Sequence, residues 1–279
     1  MIRLYLSFYL IISACIIPGV SFAANDWRNR ASAEEVVTSG DITAEVAFGR
    51  AIAARILGRY PIYDKPDLIK YINLVGATLA QSTNRPELEF HLMILDTSEI
   101  NAYATPGGYV FITKGALSYM NDESELAGVL AHEIAHITEK HIVKDLKIKG
   151  SDESSDLARL IGGSGDAARA AFGQAIDKGA ELILKDDYKK EDELQADKTG
   201  VSISTLTGYD PSGLARYLNR IKPIKEKIPP PSDSTHPTFD ARTGLINEAI
   251  KNNGINIGNL SKNNNRFNEK LKGVLANSP

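Results

Sequence analysis

The sequence contains two histidines and a glutamate in the pattern H-E-x-x-H, at His132, Glu133 and His136. Residues four apart on a helix lie about 40° apart around its axis. Both imidazoles can therefore reach one metal ion. The alternative interpretation is a pair of helix-surface histidines that form ion pairs with nearby glutamates. The motif predicts a metal site, and the rest of the chain must supply further ligands.

A catalytic zinc ion needs a third protein ligand, and a second helical segment offers one. Cys15 is the only cysteine and lies in an N-terminal segment that is predicted to be removed, so the third ligand must be His, Asp or Glu. Glu193 and Asp197 are one helical turn apart. Glu193 could complete the metal sphere, while Asp197 could accept the outer N–H of a ligating imidazole. Taken alone, such an acidic pair is more typical of a solvated helix face.

Two other histidines are predicted to lie away from the metal. His141 follows His136 by five residues, so on a continuous helix its side chain points out of the metal sector. We predict a structural or surface role for it. His91 falls in a candidate strand and is predicted to pack in the core or to lie at a rim.

The helix that carries the motif is predicted to begin at Asp122, which forms a capping box with Glu125. Its leucine and isoleucine residues occupy a different sector from the two motif histidines. This pattern predicts one dry face that packs in the core and one wet face that binds the metal.

Helices outnumber strands in the remaining pattern, and the strands cluster in one part of the chain, which indicates an α+β fold. The predicted strands are Leu88–Leu95 and Tyr109–Thr113, joined through a Pro-Gly-Gly turn. The other predicted helices are Asp41–Gly58, Asp67–Gln81, Ala167–Leu184, Lys189–Leu206 and Asp240–Lys251. Loops are predicted at Ser151–Asp166 and Ile228–His236. The stretch Asn252–Asn265 is predicted to be linker-like, and a short amphipathic segment with Phe267 and Leu271 follows it.

The chain resembles the M48 family of zinc metallopeptidases in several motifs that occur in the correct order. Members of this family are gluzincins, and they include relatives of bacterial exported quality-control proteases. Besides His132–His136, the segment Asn101–Val110 is similar to the family's Asn-Ala-x-Ala-x-Pro-Gly-Gly strand. Tyr188–Gly200 resembles its third-ligand helix, and Thr235–Pro237 its His-Pro loop. The resemblance spans roughly Asp41 to Ile250. One departure is Gln195, which stands where an acidic residue is common.

The resemblance implies a mainly helical zincin-like domain with a small sheet beside the H-E-x-x-H helix. It implies one zinc ion per chain, bound by His132, His136 and Glu193. Asp197 would not bind the zinc itself but would lie behind one of its ligands. Glu133 would be the general base that takes a proton from water and passes it to the leaving amine.

The His-Pro loop and the strand segment carry the remaining residues that the resemblance implies for the site. His236 is expected near the metal, where it would stabilise the oxyanion or block the zinc in a resting state; otherwise it is a loop histidine fixed by Pro237. The backbone around Asn101, Ala102, Gly107 and Gly108 is expected to align a substrate peptide. The alternative for this segment is only a tight turn between two strands.

Composition restricts the function classes. The chain has 279 residues, a net charge of −3 and 43% hydrophobic residues, which is typical of a globular protein and gives no reason to expect nucleic acid binding. Met1–Ala24 reads as a signal peptide, with one charged residue, an apolar run and small residues before a cleavage site near Ala23. Lipid attachment at Cys15 is the less favoured alternative.

These observations predict three regions: a signal peptide at 1–24, a metalloprotease domain at 25–253 and an Asn-rich tail at 254–279. The predicted protein is a periplasmic zinc endopeptidase that hydrolyses unfolded or misassembled polypeptides, with outer-membrane or envelope protein assemblies as partners. The alternative is a chaperone-like binding protein with a gated, rarely active zinc site. The sequence does not indicate an oligomeric state.

Overall fold

The computed structural model of the protein covers most of the chain between Ser39 and Leu275. It describes residues 39–146, 150–151, 154–155, 163, 165–185, 188–227 and 237–275. The predicted signal segment with Cys15, the residue His236 and most of the 151–166 loop lie outside these ranges. Predictions about those residues stay predictions.

Helices form most of the described structure. They are Ser39–Arg59 (α1), Pro66–Ala80 (α2), Lys114–Ser118 (α3), Glu123–Thr138 (α4), His141–Asp145 (α5), Asp166–Leu184 (α6), Lys190–Leu206 (α7), Gly213–Lys225 (α8), Phe239–Asn252 (α9) and Asn264–Leu275 (α10). The mainly helical α+β class is confirmed, as are the helices predicted from the sequence. The prediction lacks α8, which contains Pro223, a residue that normally argues against a helix interior.

A three-stranded sheet lies beside this helical body. Its strands are His91–Leu95 (β1), Ala102–Thr105 (β2) and Tyr109–Thr113 (β3), in the order β1-β3-β2. The central strand β3 pairs with β1 in parallel and with β2 in antiparallel orientation. The strand predicted from Leu88 therefore begins three residues later, and β2 lies at one edge of the sheet. Two further pairs, Gly150–Ser151 and Ser154–Ser155, form a minimal hairpin.

The turn between β2 and β3 explains the Pro-Gly-Gly sequence. Gly107 and Gly108 have φ angles of 75° and 102°, which side chains rarely tolerate. A Cβ on Gly107 would lie 2.5 Å from the Cα of Val46, and one on Gly108 would lie 2.2 Å from the carbonyl oxygen of Glu89. Both glycines are therefore required to pack the turn against α1 and against the segment before β1.

Helix α4 is buried along its whole length and around its whole circumference. Asp122 caps it by accepting a hydrogen bond from the backbone N–H of Glu125 at 3.0 Å. The side chain of Glu125 in turn accepts from the backbone N–H of Asn121, one residue before the cap, at 2.9 Å. The expected division into a wet face and a dry face is wrong, because other helices cover the histidine side as well.

The two faces of the sheet contact two apolar clusters. One face, with Leu92 and Val110, packs on the cluster that surrounds α2, α4 and α8. The other face, with Tyr103 and Phe111, packs on α1 and α6. None of the helices described has both the length and the apolar character needed to cross a membrane.

The residues after Asn253 continue the same body. The backbone carbonyl of Lys262 accepts hydrogen bonds from the N–H groups of Glu123 and Ser124 at the start of α4. Phe267 and Leu271 of α10 are fully buried in the larger apolar cluster. The Asn-rich stretch itself is exposed or half-buried, but it is hydrogen-bonded to the start of α4, and the helix after it is packed in the core. The predicted domain boundary at 253 stays a prediction.

Candidate metal centre

Three ligand-type side chains converge where α4 packs against α7. The Nε2 atoms of His132 and His136 are 3.1 Å apart. Glu193, on the first turn of α7, places Oε1 3.2 Å from His136 Nε2 and Oε2 3.6 Å from His132 Nε2. Gly200 permits this close approach, because a Cβ there would lie only 3.3 Å from the backbone nitrogen of His132.

Asp197 lies one turn further along α7, behind His132. Its Oδ1 is 3.0 Å from His132 Nδ1, and the residue is fully buried. A carboxylate in this position accepts the Nδ1 proton and leaves the Nε2 lone pair directed at the ligand cluster. The structure thus brings together four of the residues singled out from the sequence: His132, His136, Glu193 and Asp197.

Arg242 of α9 contacts both buried carboxylates and was not expected in the site. Its Nε and Nη2 donate to Asp197 at 2.9 and 2.8 Å, and Nη1 lies 3.1 Å from Glu193 Oε2. Burial alone would raise the pKa values of Glu193 and Asp197. The guanidinium and the neighbouring histidines outweigh burial, so both pKa values lie below their usual range.

The prediction that His141 points out of the metal sector is wrong, because this buried histidine lies directly behind His136. Helix α4 ends at Thr138, and Lys140 adopts a left-handed conformation with φ 56° and ψ 36°. The chain therefore folds back, and His141 Nδ1 lies 2.9 Å from His136 Nδ1. Burial, together with the nearby His136, lowers the pKa of His141 to about 2. The prediction assumed one continuous helix, and the left-handed residue breaks that assumption.

The remaining residues near the ligands occupy fixed places in the fold. Glu133 is buried on α4 between the two histidines, and its role as base stays a prediction. The ring of Tyr188 packs on His136 with 4.1 Å between ring centroids. His91 is exposed on β1 and stacks on Tyr109, in agreement with a rim position.

The proposed substrate-aligning residues lie at the β2 edge and its turn. Asn101 and Ala102 are half-buried at the start of β2, and the Asn101 side chain accepts a hydrogen bond from the Ala102 N–H at 3.0 Å. A small cavity is lined by His136 together with Ala104–Pro106 of the same segment. The segment is therefore adjacent to the ligand cluster, and its role in binding substrate stays a prediction.

The donor set suits a zinc ion. It consists of two imidazole nitrogens and one carboxylate oxygen, all within 4.8 Å of one another. Three protein ligands of this type leave a fourth position for water or substrate, which is the arrangement of catalytic rather than structural zinc sites. The hydrogen-bonded Asp197 behind His132 is typical of such sites.

Comparison with known proteins agrees with this geometry. The model of peptidase family M48 matches residues 67–250. A beta-barrel assembly-enhancing protease of Escherichia coli is 26% identical over 209 residues, which cover 72% of this chain and 42% of the relative. Metalloprotease LoiP of Escherichia coli is 21% identical over 67% of this chain and 72% of its own length.

A third relative is the mitochondrial metalloendopeptidase OMA1 of Schizosaccharomyces pombe, which is 26% identical over 64% of this chain and 52% of its own length. The chain spans less than half the length of the beta-barrel assembly-enhancing protease that it matches. The family resemblance drawn from the sequence motifs is confirmed. The chain therefore belongs to peptidase family M48 and carries the metallopeptidase domain of that family.

Proposed function

We propose that the chain is a zinc-dependent endopeptidase that holds one zinc ion on His132, His136 and Glu193. The observation that supports this most directly is the convergence of the H-E-x-x-H helix with Glu193 of α7, 3.2 and 3.6 Å from the two imidazoles. When bound, zinc would supply a Lewis acid that lowers the pKa of water and polarises the scissile carbonyl.

The protein's own residues would perform the proton transfers and the positioning. Glu133 lies on the same helix as the two histidine ligands, and its carboxylate would take a proton from the attacking water and deliver it to the leaving nitrogen. Asp197 would hold the Nδ1 proton of His132, which fixes the orientation of that ring. Arg242 would keep Asp197 ionised for this task.

The substrates we propose are polypeptides bound in extended form along β2. This strand lies at the edge of the sheet, with β3 on its other side, and an edge strand can pair its backbone with an extended peptide. Asn101 and Ala102 would align the peptide, while Gly107 and Gly108 would hold the turn that positions the strand. Main-chain pairing of this kind makes few demands on sequence, which suits unfolded chains.

We also propose a periplasmic location after removal of Met1–Ala24, in preference to lipid attachment at Cys15. The support is the signal-like sequence. Unfolded or misassembled envelope proteins would then be the substrates, and outer-membrane protein assemblies would be the partners. The name of the Escherichia coli relative, which refers to beta-barrel assembly, supports that choice.

One observation favours a second candidate, a gated binding protein that cuts rarely. The ligands and Glu133 are all less than 10% exposed, which leaves little of their surface open to a substrate. His236, in the His-Pro loop, is the residue we propose for such a gate. A chaperone-like function would use the same β2 edge without turnover.

The test is degradation of an unfolded model protein by the mature chain and by Glu133→Gln, with bound zinc quantified in both. We expect zinc near one per chain in each and cleavage only by the unmodified protein. Zinc in both proteins without cleavage by either would favour the gated binding protein, and His236→Ala would then be expected to release activity. Absence of zinc from both would contradict the ligand assignment.

A further inference from the structure

A row of hydrogen-bonded polar side chains extends away from the ligand cluster on the side of His136. Its members, ordered outward from the ligands, are His136, His141, Gln195 and Glu139. His141 Nδ1 lies 2.9 Å from His136 Nδ1, and His141 Nε2 lies 3.4 Å from Gln195 Oε1. Gln195 Nε2 donates to Glu139 Oε2 at 2.6 Å. This row of hydrogen-bonded side chains joins the end of α4 to α5 and α7.

The outermost bond fixes the orientation of the amide. A carboxylate accepts hydrogen bonds but does not donate them, so Glu139 selects the NH₂ group of Gln195. Thr199 donates to the other oxygen of Glu139 at 2.9 Å, which holds the carboxylate in place. The amide oxygen of Gln195 must therefore face His141.

The amide oxygen in turn fixes the tautomer of His141. Its Nε2 faces Gln195 Oε1 and, at 3.7 Å, Asp192 Oδ1, and both of these atoms are acceptors. Only a protonated Nε2 satisfies them, so a neutral His141 has its lone pair on Nδ1. That lone pair can only accept, and His136 must then donate from its own Nδ1. The Nε2 lone pair of His136 is left directed at the ligand cluster.

We propose that His141, held by Gln195 and Glu139, is a positioning residue that sets the ligating tautomer of His136. The two histidine ligands would then be held by different chemistry. His132 is backed by a carboxylate that pairs with Arg242, whereas His136 is backed by a neutral imidazole. This proposal rests on the proposed metal centre and deepens it by assigning the partner of the second ligand.

The test compares zinc dissociation constants, measured by competition with a chromophoric chelator, for four proteins: the unmodified chain, His141→Leu, His141→Asn and His91→Leu. Loss of a hydrogen-bond partner behind a ligand typically weakens metal binding about 10- to 100-fold, and we expect this for His141→Leu. The side-chain oxygen of His141→Asn can accept the same bond, so we expect it to recover most of the loss. His91→Leu makes the same change on the exposed face of β1 and should bind zinc as the unmodified chain does.

The outcomes separate this proposal from the proposed function. If the unmodified chain binds no zinc, both fail. If it binds zinc and His141→Leu binds equally tightly, the metal centre stands and the positioning role is wrong. Equal losses in His141→Leu and His141→Asn would also overturn the role, because only packing would then matter.

A second variant covers the case in which His141→Leu fails to fold. Combining Gln195→Met with Asp192→Leu removes both acceptors that face His141 Nε2, and so removes what selects the His141 tautomer. We expect this variant to bind zinc more weakly than the unmodified chain does. In the ¹⁵N spectrum of the zinc-loaded unmodified protein, we expect His141 to be neutral and protonated on Nε2. Unchanged affinity in this double variant, or a proton on His141 Nδ1, would contradict the proposal.

Discussion

Arg242 shows how single charges are balanced at the centre of the molecule. Glu193 and Asp197 are both almost completely buried, and two ionised carboxylates in such a place need a nearby cation. The guanidinium supplies it through contacts of 2.8 to 3.1 Å. The folded chain therefore keeps its carboxylates ionised, which is the form that a metal ligand requires.

We predict that Arg242→Met strongly destabilises the metal-free protein, because it leaves two buried carboxylates without their cation. Breaking a buried ion pair in this way costs about 3–5 kcal/mol, measurable by urea unfolding in the presence of a chelator. Added zinc should restore part of the loss. The matched control is Arg55→Met, which removes an ion pair with Asp177 in which both side chains are more than half exposed and should change stability by about 1 kcal/mol or less. Equal effects of the two variants would contradict the prediction.

The chemistry of the candidate site could be predicted largely from local spacing. Two histidines at i and i+4, and Glu193 and Asp197 at the same spacing, point to one side of their helices whatever the rest of the chain does. His141 could not be placed in the same way, because its position depends on the left-handed Lys140. Arg242 contacts residues far away in the sequence, so only the packing of α9 against α7 brings it into the site.

Among the elements, α4 is held at its start by residues from several distant parts of the chain. Glu123, its first residue, is fully buried and accepts hydrogen bonds from Tyr71 of α2 at 2.7 Å and from Tyr209 at 2.8 Å. Arg266 of α10 donates to the same carboxylate from Nε at 2.6 Å. Three separate parts of the chain are thus tied to the start of the helix that carries His132 and His136. None of these ties could be predicted from local sequence, because each joins distant residues.

The carboxylate of Glu123 should make stability depend on pH. Burial alone would raise its pKa, but the hydrogen bonds from Arg266 and the tyrosines outweigh burial and hold the pKa below the usual 4.5. A lowered folded-state pKa contributes stability above the unfolded-state value, and this contribution is lost as the pH falls through the folded-state value. We therefore predict that Glu123→Gln costs about 1.5–3 kcal/mol at neutral pH, with a smaller difference from the unmodified chain below about pH 4.

Urea unfolding of both proteins across this pH range provides the measurement. Glu181→Gln is a suitable control, because Glu181 pairs with Lys185 on an exposed surface of α6 and should have little effect at any pH. A difference for Glu123→Gln that stays constant with pH would show that the charge of the carboxylate is not what stabilises the start of α4.

At the scale of the whole molecule, the described chain behaves as one packed body that includes its C-terminal helix. The family match ends at residue 250, yet Phe267 and Leu271 are buried against the helices that surround α4. The sequence pattern identified these apolar residues as one side of a short helix. It could not show which surface that side covers, because amphipathicity indicates a buried face but not its partner.

We predict that Leu271→Ala destabilises the whole domain by about 2–5 kcal/mol, because the substitution leaves a cavity in the main core. Leu74→Ala makes the same change at a side chain that is 61% exposed and should have a much smaller effect. Thermal unfolding followed by circular dichroism compares the two. If both variants unfold at the temperature of the unmodified chain, the C-terminal helix is not part of the cooperative unit.

The placement of the proposed metal ligands on two helices has a consequence for when the protein can act. His132 and His136 are separated in sequence from Glu193 by α5 and α6, and Arg242 follows only after α8. A chain that is still unfolded has no such cluster, and so it has no means of cutting itself or its neighbours. The ability to hydrolyse peptide bonds would arise only once α4, α7 and α9 have packed together. The same folding step that protects the chain from other proteases would therefore make it a protease.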